Sequence, residues 1–259
     1  DPKSDDHKFW EYNCKDVMVT ADAALQMEQE AKENGVWEFY KEFYVRPFLH
    51  SLRMEWYGVA IDIERRVIVK QQVDKRIYEL QDGIDQTLGW HLNVKSSPQM
   101  YKLLYETKGY QVRKNRQTGR PTADKWALDY FAAKHQDPLL LQIKELRQQF
   151  DLRSDFLDQP LSADGRMNTH YNIGGTDSGR WSSVKSILGT GTNLQNIPIS
   201  GDWGKKVRRA FIAGKGNSLL SLDYSQIELR VLASVAGDPA MIEAFKKGID
   251  IHKLTASNV

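Results

Sequence analysis

The sequence has 259 residues, enough to bury a sizeable core as one large domain or two smaller ones. Apolar residues at 41% and charged residues at 27% are ordinary for a globular protein, and no apolar run reaches the roughly 18 residues that a membrane span needs, so no membrane partner is expected. The single Cys14 excludes an internal disulfide and a cysteine-built zinc site, and it fits a reducing compartment, the cytoplasm. The start, Asp1-Pro2-Lys3-Ser4, has neither Met nor a signal-peptide pattern and reads as an internal cut or a processed end.

Elements follow in chain order. Phe9 to about Asn34 reads as a helix, with Val17, Ala21, Ala24 and Leu25 at helical spacing and Gly35 as the stop. The aromatic-rich stretch Glu38 to Tyr57 reads as helical, with Pro47 as a kink or break. Gly58 to Ile63 reads as a short buried turn and strand. From about Arg65 to Leu88 the period is helical again, through Val69, Val73, Ile77, Leu80 and Ile84. Ser96 to Tyr110 reads as a short helix with Ser96 or Ser97 as cap, Pro98 in its first turn and Gly109 at its end. Two more helices are expected over Thr122 to Lys134 and Pro138 to Phe156.

Between Lys102 and Arg120 lie Lys102, Lys108, Arg113, Lys114, Arg116 and Arg120 against Glu106. Such a run suits a polyanion backbone, or it is a solvated face.

Near Leu161 the texture changes. Ser162 to Arg166 is turn chemistry, Met167 to Tyr171 fits a strand, and Lys185 to Pro198 reads as irregular. Arg209 to Ala213 and Ser218 to Asp223 read as strands. Helices are expected over Gln226 to Ala236, over Pro239 to Lys247, and after Asp250 as a cap. Helices first and a strand–helix mixture second give an α+β class, with a junction near residue 160.

The sharpest chemistry lies in Leu220-Ser-Leu-Asp223-Tyr-Ser-Gln-Ile-Glu228-Leu-Arg230. A carboxylate at the end of a buried strand is costly unless paired or bound to a cation, and Asp223 there suits Mg²⁺. An Asp after a strand also simply starts turns. Ser225 and Glu228 make a Ser-x-x-Glu capping box.

Asp223-Tyr-Ser-Gln-Ile-Glu-Leu-Arg230 is identical to the first palm motif of family A DNA polymerases, the group of bacterial DNA polymerase I. Gly237-Asp-Pro239, Ile242-Glu-Ala-Phe245 and Gly248-Ile-Asp-Ile-His252 resemble the same family in order and spacing. Upstream, Thr176-Asp-Ser-Gly-Arg180-Trp-Ser-Ser183, Asn193-Leu-Gln-Asn-Ile-Pro198 and Val207-Arg208-Arg-Ala-Phe-Ile-Ala213 do so as well. In the first half, Gly58-Val-Ala-Ile-Asp62, Asn93-Val-Lys-Ser-Ser-Pro-Gln99 and Thr118-Gly-Arg-Pro-Thr122 are looser matches.

The resemblance implies template-directed DNA synthesis on primer-template DNA with dNTPs. It implies that Asp223 is one of two carboxylates holding a Mg²⁺ pair, with the Tyr224 carbonyl as a further ligand. Glu228 would block a 2′-hydroxyl on the incoming sugar. Gln226 would make a sequence-blind contact, and Arg208 and His252 would meet the triphosphate; taken alone, these last two read as a surface Arg and a satisfied core His. Arg180, Gln195 and Asn193 would face the DNA minor groove, whose acceptors are present on every base pair. Lys114, Arg116, Thr118 and Arg120 would grip duplex phosphates. Arg153-Ser154 sits where the family often has Lys-Ser, with Asp151 in place of an expected Lys. Tyr12 and Asp16 resemble the end of the family's proofreading exonuclease.

By the same resemblance, residues 1–35 are an exonuclease remnant without activity, 36–160 the thumb region, and 161–259 the first half of the palm. The stretch Val184 to Thr192 is longer than in bacterial members, and its Gly-Thr-Gly-Thr ending resembles phage-type members. The family's fingers and second carboxylate would follow Val259. A second polypeptide or segment is therefore expected to complete the polymerase, this chain being inactive alone. The alternative is a non-catalytic duplex DNA-binding module.

Overall fold

The computed structural model describes residues 2–115 and 118–257. The fold is α+β: long helices with two small antiparallel sheets. The chain divides into two compact units, Asp1–Lys215 and Gly216–Val259. The expected division near residue 160 runs inside the first unit.

The first unit opens with α1 (Pro2–Glu33), whose apolar positions Val17 and Leu25 stay 69% and 68% exposed. Next come α2 (Trp37–Tyr40), a π-helical turn (Lys41–Val45) and α3 (Arg46–Tyr57). Pro47 does not break this run. It stands in the first turn of α3, and just before it the amide of Arg46 reaches back five residues to the Lys41 carbonyl. The widened turn relieves the clash that a proline ring makes with the carbonyl four residues earlier. Gly58, at φ 58°, turns the chain into β1 (Val59–Ile61), where a Cβ would meet the Met167 carbonyl oxygen at 2.7 Å.

The core gathers on α4 (Ile63–Leu88). Asp62 caps it by accepting from the Arg65 amide at 2.9 Å, and Gly89 at φ 73° ends it. Its five expected apolar positions, Val69 through Ile84, are all buried. They pack with α5 (Ser97–Tyr101), α6 (Lys125–His135) and α7 (Pro138–Leu152), each capped by an upstream Ser or Asp side chain. Ser96 makes the α5 cap. Arg76 of α4 ties α7 by two bonds to Glu145, 2.8 and 2.9 Å. α5 and α7 both run on into π-helical turns, Lys102–Thr107 and Arg153–Leu157.

Strand β1 pairs with both β2 (Arg166–Met167) and β5 (Phe211–Ile212), antiparallel to each. A second sheet is the hairpin β3 (His170–Asn172) with β4 (Ser182–Val184). Between β4 and β5 lie a 3₁₀ turn (Leu194–Asn196) and α8 (Gly201–Arg208). The sequence reading missed α8 because two glycines interrupt it. Gly204 is required there, since a Cβ would come within 2.8 Å of Pro198, and Val207 joins the helical core.

The second unit contains α9 (Ile227–Ala236), α10 (Pro239–Lys246) and α11 (Ile251–Ser257). The expected strand Ser218 to Asp223 does not form. Among the described residues no strand pairs with it, and an unpaired backbone has nothing to hold it extended. Leu220 and Leu222 are 81% and 84% exposed, so the expected buried setting of Asp223 is overturned too. The expected capping box at Ser225 also fails: the N-cap of α9 is Gln226, and its side chain makes no cap bond.

Candidate nucleic-acid and nucleotide interface

Within the first unit, the hairpin β3–β4 presents the segment Thr176 to Arg180. Thr176 Oγ1 donates to the Arg180 carbonyl at 2.7 Å, and Gly179 takes φ 73°, so the tip is a closed turn carrying Arg180. The hairpin is fixed from beneath by Glu55 of α3, which is buried. Its carboxylate accepts the Tyr171 amide at 2.8 Å and lies 3.0 Å from His170 Nδ1. Burial and the nearby Glu55 charge push the Tyr171 phenol up.

Glu55 escaped the sequence reading for a physical reason. The buried positions of α3 are Ser51 and Glu55, one turn apart, while Leu52 and Trp56 beside them are 42% and 77% exposed. Hydrophobic periodicity therefore points to the wrong face. The signal that remained was a lone carboxylate in an aromatic-rich helix.

Asn168 is a second anchor. It is buried, donates from Nδ2 to the Glu55 carbonyl at 2.8 Å, and accepts from Thr190 Oγ1 at 3.1 Å. Its backbone carbonyl takes the Thr192 amide, and the Gly191 amide donates to Pro160. The Gly-Thr-Gly-Thr stretch is thus pinned at its end, and it delivers the chain to Asn193. Asn193 Oδ1 accepts from the Gln195 amide at 3.0 Å and also meets Ser183 Oγ of β4. Gln195 Nε2 donates to the Trp181 carbonyl at 3.2 Å. Arg180, Asn193 and Gln195 are therefore brought together around one hairpin. Arg208 closes α8 and is exposed.

Earlier in the unit, hydrogen bonds tie Arg113 and Asn115 to the segment Thr118 to Thr122. The Thr118 amide donates to Asn115 Oδ1 at 3.0 Å, and the Asn115 amide donates to the Arg120 carbonyl at 2.8 Å. Lys114 bridges to Pro121, and Thr118 and Arg120 are exposed. Arg116 lies outside the described residues. The basic run is not one solvated face: Lys108 is paired with Asp137 at 2.7 Å, and Arg113 packs on aromatic rings.

Arg153 is held by Asp158 at 2.9 Å and Asp74 at 3.2 Å, so a phosphate there would have to compete with two carboxylates. Ser154 Oγ bonds the Asp151 carbonyl and Asp155. Tyr12 and Asp16 share one face of α1, exposed.

In the second unit, Asp223 and Tyr224 lie on an exposed, irregular segment leading into α9. Gln226 sits at φ 51° and ψ 41°, left-handed backbone that costs a non-glycine residue about 1 kcal/mol. Its Nε2 donates to Asp250 Oδ1 at 3.0 Å, and the same oxygen accepts the His252 amide at 2.9 Å. The Gln226 bond, with the amides of His252 and Lys253 after it, holds the Asp250 carboxyl below its ordinary range. One carboxylate therefore joins the start of α9 to the start of α11, and so relates Gln226 to His252. Glu228 lies in the first turn of α9.

Hard oxygen donors fit Mg²⁺, and Asp223 with the Tyr224 carbonyl offers two. Among the described residues no group of three or more His, Cys, Asp or Glu comes together.

A family model described as DNA polymerase family A matches residues 65–259. The chain belongs to DNA polymerase family A. It is 34% identical to DNA polymerase I of Lactococcus lactis over 98% of its own length and 28% of that protein's. It is 35% identical to the thermostable DNA polymerase I of Thermus thermophilus over 96% of itself and 30% of that protein. Among solved structures it resembles the polymerase domain of Pol1 from M. smegmatis in complex with DNA primer-template and dNTP. The TM-score is 0.76 and the identity 27%, covering 92% of this chain and 41% of that one. The chain thus spans less than a third of the curated family A relatives it matches.

Proposed function

We propose that this chain supplies part of the machinery for template-directed DNA synthesis, with primer-template DNA and dNTPs as substrates. The observation that carries this is the likeness, over 92% of the chain, to a polymerase domain held with primer-template and dNTP. In this reading residues 36–160 are the thumb, 161–259 the first half of the palm, and 1–35 the remnant of an exonuclease domain bearing Tyr12 and Asp16. The Gly-Thr-Gly-Thr ending of the loop after β4 favours a phage-type member acting in the cytoplasm of a bacterial host.

Arg180, Gln195 and Asn193 lie along the minor groove of the primer end, and Lys114, Arg116, Thr118 and Arg120 along the duplex backbone; Ser154 and Arg153 lie beside that path, Arg153 being engaged by Asp74 and Asp158. Arg208 and His252 take the triphosphate, Gln226 the base-pair side, and Glu228 the sugar. The left-handed backbone of Gln226 supports this reading, because strain of that kind persists where function requires it. Asp223 and the Tyr224 carbonyl would hold Mg²⁺, which supplies charge neutralisation at the phosphoryl oxygens.

A second polypeptide or segment completes the palm and adds the remaining carboxylate. The exposed Leu219, Leu220 and Leu222, with Val231, Leu232 and Val235 of α9, support this, because so much uncovered apolar surface invites a partner. The chain alone then binds duplex and adds no nucleotide.

The test is extension of a labelled primer with dNTPs and Mg²⁺, by the chain alone and with the completing polypeptide. Extension by the pair only is expected. An assembled pair that binds primer-template yet extends nothing defeats the proposal and leaves duplex binding as the function.

A further inference from the structure

Trp126 and Tyr130 of α6 stand one turn apart, and the guanidinium of Arg113 lies against both. Its central carbon is 4.0 Å from the Trp126 ring centroid and 3.8 Å from that of Tyr130. Lys134 adds its ammonium 5.6 Å from the Tyr130 centroid. These side chains, with Lys114 and His135, line an open cleft of about 340 Å³. The lining also holds a stack in which Tyr110 lies parallel to His135, centroids 4.3 Å apart and planes within 4°.

Two features point to a ligand. The Trp126 and Tyr130 side chains remain 40% and 38% exposed although a cation is already packed on them. The Arg113 Nε is buried and has no hydrogen-bond partner among the described residues, a donor that is costly to leave unmet. Among the described residues lining the cleft there is no carboxylate to meet it. A ligand that satisfies the cleft must offer an anionic acceptor to Arg113, Lys114 and Lys134 and a flat ring to the aromatic wall. A duplex backbone offers the first and hides its base faces. An unpaired nucleotide offers both.

We propose that this cleft binds a nucleotide unit with its base unstacked, as in single-stranded nucleic acid. The phosphate lies on Arg113, Lys114 and Lys134, and the base lies on the Trp126–Tyr130 side. The site stands on the geometry of α6 and of the segment before it, and it shares only Lys114 with the duplex path of the polymerase reading.

The test is fluorescence anisotropy with labelled oligo(dT) and, in a separate arm, competition by free thymidine monophosphate. Oligo(dT) is expected to bind and to weaken about tenfold or more in Trp126→Ala and in Tyr130→Ala. Lys134→Glu, a surface change that leaves both rings in place, is expected to weaken it as much. The competition arm tells a strand segment from a free nucleotide as the source of the unit. Failure of both ligands to bind, or unchanged binding in Lys134→Glu together with the ring variants, overturns the site. Primer-template duplex in a third arm, compared with Arg180→Ala, reports on the polymerase reading separately.

Discussion

Glu55 and His170 face each other at 3.0 Å, and the second oxygen of the same buried carboxylate holds the Tyr171 amide. One side chain of α3 thus fixes the strand that leads to Arg180. Glu55→Ala leaves a buried amide without its acceptor and should cost about 2–3 kcal/mol, read as a lower urea midpoint. Glu55→Gln keeps an oxygen for the amide and should recover part of that loss. Equal midpoints for wild type and Glu55→Ala would contradict the anchoring role.

Gly191 and Gly189 offer a paired test of the loop after β4. Both take positive φ, 73° and 76°. A Cβ on Gly189 meets nothing within 4 Å, whereas a Cβ on Gly191 would overlap the backbone of Asn168. Gly189→Ala should therefore cost about 1 kcal/mol from backbone strain alone. Gly191→Ala should cost about 3 kcal/mol, because the loop must move off Asn168. Thermal unfolding of the two variants checks the difference.

Asp137 predicts an acid response. Burial would raise its carboxyl, but the Lys108 bond, the Leu139 amide and Tyr110 together hold it below the usual range. A folded-state value below the unfolded one means the unfolded state binds the proton first on acidification. The contribution is therefore complete above about pH 4 and is lost as pH falls through the lower, folded value. Asp137→Asn should flatten that acid slope while keeping the helix cap, since Asn also accepts the Leu139 amide. Urea midpoints from about pH 5 down to about pH 3 would reveal it. A slope unchanged by the substitution would exclude Asp137 as its source.

In the completed polymerase, Asp223→Ala should lower primer extension by about a hundred- to a thousandfold while duplex binding stays near wild type. Undiminished extension would remove Asp223 from the chemistry.

Arg120 and Arg153 should separate in salt. On the proposed duplex path, Arg120→Ala should reduce the salt dependence of duplex binding by about one unit of slope. Arg153 already serves Asp158 and Asp74. Arg153→Ala should therefore act mainly on stability, by about 1 kcal/mol or less, because that pair of bridges is half exposed.

Local chemistry determined much of this protein before any folding was considered. The apolar face of α4, the Asp and Ser caps, and the glycine stops at Gly89 and Gly237 depend on spacing along one helix, which a sequence displays directly. The family was legible in the ordered run from Thr176 to His252. What only the tertiary structure decided depends on distant partners. Glu55 turned inward beneath β3, Arg113 was drawn onto two rings, and Asp250 joined Gln226 to His252. Ser218 to Asp223 carries strand-forming residues but finds no neighbour among the described residues, and a strand exists only where another backbone takes its hydrogen bonds.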